Sequence, residues 1–396
     1  MSTSTPTTAG PRGNPGSQSA LRHRNQQRII ECLLGGPSTQ AELSRRTGLS
    51  SATVSNIVKT MLDEGIASTE PTTSSGRRAL NVRLSGKGTV AVGVDFGRRH
   101  LRVVLASLGH RLLAEEAVVL PLGHHAEEGI QAATVLVARL LEESKVDRSA
   151  VVGAGVGIPG PIDRRTGTVA QGAILPEWVG INILERLRAA LDMPVFVDND
   201  ANLGALAEVT WGEHGQVRNL VFLKVGTGVG AGLILNGLPF YGHVGITGEL
   251  GHATIDEHGQ VCRCGNRGCL ETVASTTTMM ELLSRGEDRP RTAADIVRKA
   301  HEGDPATLRV VEDAGGAIGR ALGNVANLIN PEVIVLGGPL AGLGPLLLDP
   351  VRRGLLRHAV PVVGENTRLA MSSLGDRAEA LGAAALVFQH AKGGGS

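Results

Sequence analysis

Aromatic side chains are scarce, with five Phe, two Trp and one Tyr in 396 residues. The cores must therefore be aliphatic. Cysteines number only four, too few for a disulfide scaffold, and a chain of this length buries enough surface to fold without covalent staples. No run of about 18 or more apolar, uncharged residues occurs, so no membrane span is expected. The Ser/Thr/Pro/Gly-rich start lacks the apolar stretch of a secretory signal, which makes the cytoplasm the expected compartment. Lysine is also rare, six against 33 arginines, a bias that reflects base composition rather than function.

Glycine is abundant at 54 residues but not periodic, which excludes a collagen-like chain. Apolar residues at 42% and charged residues at 19% are ordinary for a globular protein, and the length suggests two or three domains. The net charge of +1 hides an asymmetry. Residues 1–85 hold ten Lys/Arg and five Asp/Glu, net +5, whereas the remainder holds 29 and 33, net −4. A small basic head on a mildly acidic body is the pattern of a polyanion-binding module fused to something else.

Residues 1–19 have the composition of a disordered tail, and 392–396 read as a second short one. Between about 20 and 64 lie three helical patterns. Asn25 to Leu34 carries Ile29, Ile30, Leu33 and Leu34 on one face and stops at Gly35-Gly36-Pro37. Ser38 is placed to cap a short helix from Thr39 to Thr47. Gly48-Leu49 turns the chain, and Ser50 caps a third helix, Ser51 to Glu64, whose apolar face is Val54, Ile57, Val58, Met61 and Leu62. Two short helices joined by a glycine turn form a helix-turn-helix pattern. Ser51, Ala52, Thr53, Ser55, Asn56 and Lys59 are left to face outward, near the end that enters the major groove, with short donors and acceptors suited to base edges and phosphates. Two alternating segments, 66–70 and 80–84, flank Ser74-Ser75-Gly76-Arg77-Arg78. This reads as a wing with Arg77 and Arg78 at its tip, able to hold phosphate or reach the minor groove.

From Val90 the texture becomes α/β. Strand-like runs at Val90–Phe96, 101–108, Val151–Ile158, 195–197, Leu220–Val225 and 333–336 alternate with glycine turns and amphipathic helices such as 131–144 and 183–190. Three motifs stand out. Cys262, Cys264 and Cys269 fall within eight residues, and His252 lies ten residues upstream. Three thiolates and an imidazole make a closed, structural zinc set with no open position for activated water. Cys32, alone on an apolar helix face, reads as a core residue. Gly226-Thr227-Gly228-Val229-Gly230-Ala231-Gly232 follows a strand and reads either as a loop that lets backbone N–H groups approach a phosphate or as a tight hairpin. Gly337-Gly338-Pro339 offers the same choice. Asp198-Asn199-Asp200-Ala201-Asn202 follows the strand 195–197, at the strand end where α/β folds place ligands. Glu249, His252 and Glu271 add polar groups suited to the hydroxyls of a polyol.

Together these residues resemble the ROK family (repressors, open reading frames, kinases), sugar-recognising proteins with the actin-like ATPase fold. The elements that carry the resemblance are Gly157-Ile158-Pro159-Gly160-Pro161-Ile162-Asp163, the run Asp198 to Asn202, the glycine segment 226–232, the Glu249–His252 box and the Cys262–Glu271 box. The head is similar to the repressor branch, which kinases lack. The resemblance implies a fold class of N-terminal winged helix-turn-helix (α+β) followed by a two-lobed α/β actin-like ATPase (ribonuclease H-like) fold. The winged helix would span 20–86 and the sugar domain 87–391, with its zinc segment at 249–271.

The resemblance also implies that Asn199, Asp200, Glu249, His252 and Glu271 bind sugar hydroxyls. Asp200 stands at the kinase base position, and His252, Cys262, Cys264 and Cys269 are the Zn2+ ligands. His252 belongs to both sets, so one ring nitrogen would take the metal while the other meets the sugar. Where the kinases carry Asp-x-Gly-Gly-Thr, this chain reads Asp95-Phe96-Gly97-Arg98-Arg99. Arg98 places a Cβ and a long side chain where backbone should approach phosphate, although an arginine can still hold phosphate through its fork. Ile174 stands where the family has an Asn, with Trp178 retained. The expectation is a sugar-responsive DNA-binding regulator and not an enzyme, most often a repressor in this branch. Its partners would be an inverted-repeat double-stranded operator, a monosaccharide and further copies of itself as a dimer or tetramer. A sugar kinase with a DNA-binding head is the alternative, and a sugar-insensitive DNA-binding scaffold the third.

Overall fold

The computed structural model describes residues 25–26, 28–30, 32–33, 36–63, 66–74, 77–85, 89–108, 110–163, 166–169, 174–284 and 289–391. The expected tails at 1–19 and 392–396 and the wing tip at 75–76 lie outside the described residues. By contacts the chain divides into two units. One holds Met1–Thr89 with Ser107–Arg111 and His390–Ser396, the other Val90–Ala106 and Leu112–Gln389.

In the first unit Ile29, Ile30 and Leu33 come from helical backbone between 25 and 33 and close a core with Leu43, Val54, Ile57, Val58, Met61 and Val82. Cys32 packs half-buried against it. The helix Gln40–Thr47 ends at Gly48 in the left-handed region, φ 67°, a conformation glycine adopts without Cβ strain. Its cap is Thr39, not Ser38: the Thr39 hydroxyl accepts from the Glu42 N–H at 3.3 Å and the Glu42 carboxylate accepts from the Thr39 N–H at 2.8 Å. This reciprocal box satisfies two orphan donors at once, an option the Ser38 assignment lacks. Ser38 and Thr39 instead form β1 (Ser38–Thr39), pairing with Val82 and Asn81. The Ser50 hydroxyl accepts from the Thr53 N–H at 3.2 Å at the start of the helix Ser51–Asp63. Strands β2 (Ala67–Ser74) and β3 (Arg77–Leu84) are longer than the sequence suggests and complete a sheet of order β1-β3-β2. Arg77 and Arg78 therefore stand in paired backbone opposite Ser74 and Thr73, one step inside the strand rather than in the turn.

The second unit repeats one layout. Its first sheet has the order β10-β7-β4-β5-β6, built from β4 (Val90–Phe96), β5 (His100–Ser107), β6 (Leu112–Val119), β7 (Val151–Ile158) and β10 (Val195–Asn199). Its second has the order β13-β12-β11-β14-β15, from β11 (Leu220–Val225), β12 (Val229–Leu235), β13 (Leu238–Pro239), β14 (Val333–Gly337) and β15 (Arg368–Met371). A two-stranded ribbon, β8 (Ile162–Asp163) with β9 (Thr168–Val169), stands apart. Each sheet sets a meander on one side of its central strand and two parallel strands on the other. This is the doubled pattern of the actin-like ATPase fold.

Every residue of β4 is buried, as expected for a strand covered on both faces. The helix Ala378–Ala391 lies so close to the first sheet that a Cβ on Gly155 would stand 1.9 Å from the Ala383 carbonyl oxygen, so glycine at this position is a packing requirement. Among the described residues no helix is long and apolar enough to cross a membrane.

Candidate sugar and metal site

A cavity of about 560 Å³ opens between the two sheets of the second unit. Asn199, Asp200, Glu249, His252 and Glu271 all line it. Asn199 ends β10 and caps the helix Asp200–Thr210. Its amide donates to the Gly160 carbonyl at 2.9 Å and accepts from the Ala201 N–H at 2.8 Å, leaving one donor and one lone pair for a ligand. Asp200 accepts from the Ala201 N–H through Oδ1 at 2.9 Å and from Lys224 Nζ through Oδ2 at 2.9 Å. Glu271 is held by a fork from Arg263, at 2.7 Å to Oε1 and 2.9 Å to Oε2, and accepts from the Val229 N–H at 3.0 Å. These bonds fix the carboxylates before any ligand arrives. Glu249 is looser. Burial, and then the Asp200 charge, push its carboxyl above the ordinary range.

The glycine segment resolves in favour of a hairpin. Val225 pairs with Val229, so 226–228 is the turn between β11 and β12, and Gly230 and Gly232 belong to a strand. The turn still borders the cavity, as do Gly338 and Pro339. Ile174 lines the cavity, whereas Trp178 is fully buried and donates to the His124 carbonyl at 3.1 Å.

His252, Cys262, Cys264 and Cys269 bring one ligand atom each to within 4.8 Å of one another. Sγ of Cys264 and Sγ of Cys269 are 3.7 Å apart, and His252 Nδ1 is 3.5 Å from Cys262 Sγ. All three cysteines are free, and 3.7 Å is far outside disulfide length. A tetrahedral ion with sulfurs at about 2.3 Å and nitrogen at about 2.0 Å has ligand edges of about 3.5–3.8 Å, so the set fits a metal ion. The chain folds to this geometry through local turns. The Cys262 N–H bonds the Asn266 carbonyl at 2.7 Å, the Gly265 N–H bonds the Cys262 carbonyl at 2.9 Å, and the Gly268 N–H bonds the Gln260 carbonyl at 2.7 Å, which folds the segment before Cys269 back along the one before Cys262. Nε2 of His252 points the other way, 3.8 Å from Glu249 Oε2.

A second cluster was not foreseen. Asp95 lies at the end of β4 with Oδ2 2.9 Å from His100 Nε2. Lys224 reaches Asp200 and also Glu379 Oε1 at 3.2 Å. Burial works against the Lys224 charge, but Asp200, Glu379 and Asp95 outweigh it and hold the ammonium well above its ordinary range. The sequence offered one signal, a lysine inside the otherwise apolar strand Leu220–Val225.

In the first unit Ser51, Ala52, Ser55, Asn56 and Lys59 are exposed on one helix and Thr53 is half-buried. The side chains of Arg77 and Arg78 lie outside the described residues.

A model of the ROK family matches residues 91–390. The chain belongs to the ROK family. A winged helix-turn-helix DNA-binding model matches residues 22–67, which gives this ROK protein a DNA-binding head. It is 30% identical over 381 residues to the xylose repressor of Bacillus spizizenii, covering 94% of this chain and 97% of that protein. A solved ROK family transcriptional regulator, a homolog of the E. coli MLC protein, superposes with a TM-score of 0.78 at 26% identity, over 94% of this chain and 97% of that one. A ROK family glucokinase from Streptomyces griseus, solved with glucose and AMPPNP, superposes with a TM-score of 0.67 at 26% identity, over 76% of this chain and 99% of that one. The regulator thus extends over the head of this ROK chain and the kinase does not.

Proposed function

We propose that this ROK protein is a sugar-responsive transcriptional repressor of carbohydrate metabolism genes and not an enzyme. The observation that carries the reading is the union in one chain of a winged helix-turn-helix with a cleft lined by Asn199, Asp200, Glu249 and Glu271 and by His252, the one residue of the metal-ligand set that reaches it. The head, 20–86, binds an operator through Ser51, Ala52, Thr53, Ser55, Asn56 and Lys59, with Arg77 and Arg78 on the wing. The sugar domain, 87–391, binds a monosaccharide through Asn199, Asp200, Glu249, His252 and Glu271.

Zn2+ is the ion of the cluster, held by His252, Cys262, Cys264 and Cys269. When bound it supplies structural cross-linking and no activated water, because all four positions are filled by protein. His252 then presents Nε2 to the sugar in a fixed direction. A homodimer in the cytoplasm, reading an inverted repeat, is the natural assembly, because a two-fold protein matches two half-sites. A coupling of about 1.4–2.8 kcal/mol between sugar and operator makes a usable switch.

The glucokinase relative and the position of Asp200 support a second reading, a sugar kinase with a DNA-binding head. A thermal-shift screen of the zinc-loaded protein separates the two. Monosaccharides and their phosphates are tested, each with and without Mg-ATP. A ligand at about 100 times its Kd adds roughly 2.7 kcal/mol. A shift with one sugar, unchanged by Mg-ATP, supports the repressor. A shift with Mg-ATP accompanied by ADP release supports the kinase.

A further inference from the structure

Three carboxylates converge on the floor of the cleft from three different elements. Asp95 comes from the end of β4, Asp200 from the first turn of the helix Asp200–Thr210, and Glu379 from the start of the helix Ala378–Ala391. They are 1%, 7% and 3% exposed, and Asp95 Oδ1 has no hydrogen-bond partner among the described residues. Buried like charges of this kind require counter-charge. A divalent cation shared with phosphate oxygens is one solution.

The chain supplies another. The Lys224 ammonium stands 2.9 Å from Asp200 Oδ2 and 3.2 Å from Glu379 Oε1. His100 Nε2 stands 2.9 Å from Asp95 Oδ2. The same imidazole lies against the turn that follows β4, where a Cβ on Gly97 would stand 2.0 Å from His100 Cε1. It therefore covers the backbone that a phosphate would approach.

We propose that Lys224 and His100 are resident counter-ions that replace a divalent cation in this cleft, so that it accepts an uncharged sugar and turns away a magnesium nucleotide. Lys224 faces Asp200 and Glu379, His100 faces Asp95, and the Arg102 charge also acts on Asp95. Burial pushes Glu379 up to about 7, with Lys224 opposing. Burial opposes the charge on His100, but the hydrogen bond and charge of Asp95 hold its imidazole above the ordinary range. A divalent ion entering this cluster would meet carboxylates that already face the Lys224 ammonium and the His100 imidazole. This inference rests on the repressor reading and narrows its ligand to a neutral polyol. Operator binding and sugar-induced stabilisation test that reading separately, because neither requires a nucleotide.

The test uses the full, zinc-loaded chain with Mn2+ and ADP as probes, and bound Mn2+ is followed by electron paramagnetic resonance. The variants are His100→Asn, Lys224→Met and the pair together. The double variant is expected to bind Mn-ADP at least about tenfold more tightly than the parent chain, and a further Asp95→Asn to remove that gain. His100→Asn changes a side chain that is still 47% exposed, so it serves alone if Lys224→Met does not fold, with a smaller gain expected. Tight Mn-ADP binding by the unaltered chain would overturn the proposal. So would a folded His100→Asn protein that gains none.

Discussion

Nδ1 of His252 lies 3.5 Å from Sγ of Cys262, and this contact turns Nε2 towards Glu249 and the cleft. One imidazole thus has one nitrogen in the His/Cys cluster and the other facing Glu249 at the cleft. The two tasks separate by substitution. His252→Ala should lower zinc affinity at least about tenfold and abolish the sugar response, whereas Glu249→Ala should abolish the response with zinc content unchanged. Metal analysis of both purified variants, paired with sugar thermal shifts, checks this. Equal zinc content in the two would mean that His252 is not a ligand.

Gly248 sets the backbone that aims Glu249. Its φ is +79°, and a Cβ there would stand 1.7 Å from the Ala231 carbonyl oxygen. Gly248→Ala should cost about 2–3 kcal/mol and remove the sugar response by displacing the next side chain. A melting temperature equal to that of the parent chain would show that the segment relaxes freely.

Arg77 and Arg78 begin β3 next to the wing tip. If both contact phosphate, replacing them together with Ala should lower the slope of log affinity against log salt by about 1.8, at about 0.9 per phosphate. The slope is read from anisotropy titrations at several salt concentrations. An unchanged slope would remove them from the DNA interface.

Glu379 gives the cleft a pH signature. Its carboxyl is raised from 4.5 to about 7 in the folded chain, chiefly by burial. A raised acid favours the folded state only while protonated, so the parent chain should lose stability relative to Glu379→Gln as pH climbs from 4.5 to 7, and no further above it. The stability difference between the two should change by about 1–3 kcal/mol between pH 4.5 and pH 8 in urea titrations. A difference independent of pH would contradict the charge assignment.

Some of this was legible in the sequence because it is local. The cysteines and His252 fall within one short segment, and their spacing alone names the metal set. The helix Ser51–Asp63 announces itself through Val54, Ile57, Val58 and Met61, which are all buried. Strands β6 and β15 are not marked by the sequence pattern, and β12 is marked only as one of two alternatives. The burial of β6 does not alternate cleanly, and Gly230 and Gly232 leave loop and hairpin both open for β12 until its pairing with β11 is known. The Ser38 cap failed because two hydroxyls stand side by side and only the register of Glu42 chooses between them. The cluster of Asp95, His100, Lys224 and Glu379 was out of reach for a different reason. Its members come from four separate elements, and only the folding of both sheets brings them together.

In the proposed switch a monosaccharide in the cleft changes operator binding by the head. The direct measurement is the affinity of the zinc-loaded chain for an inverted-repeat DNA from its own promoter region, by fluorescence anisotropy at fixed salt, across a panel of neutral monosaccharides. One sugar should shift the Kd by about tenfold to hundredfold, and Glu249→Ala should abolish the shift while leaving DNA affinity intact. An affinity that no sugar changes, together with phosphorylated sugar formed from Mg-ATP, would contradict it.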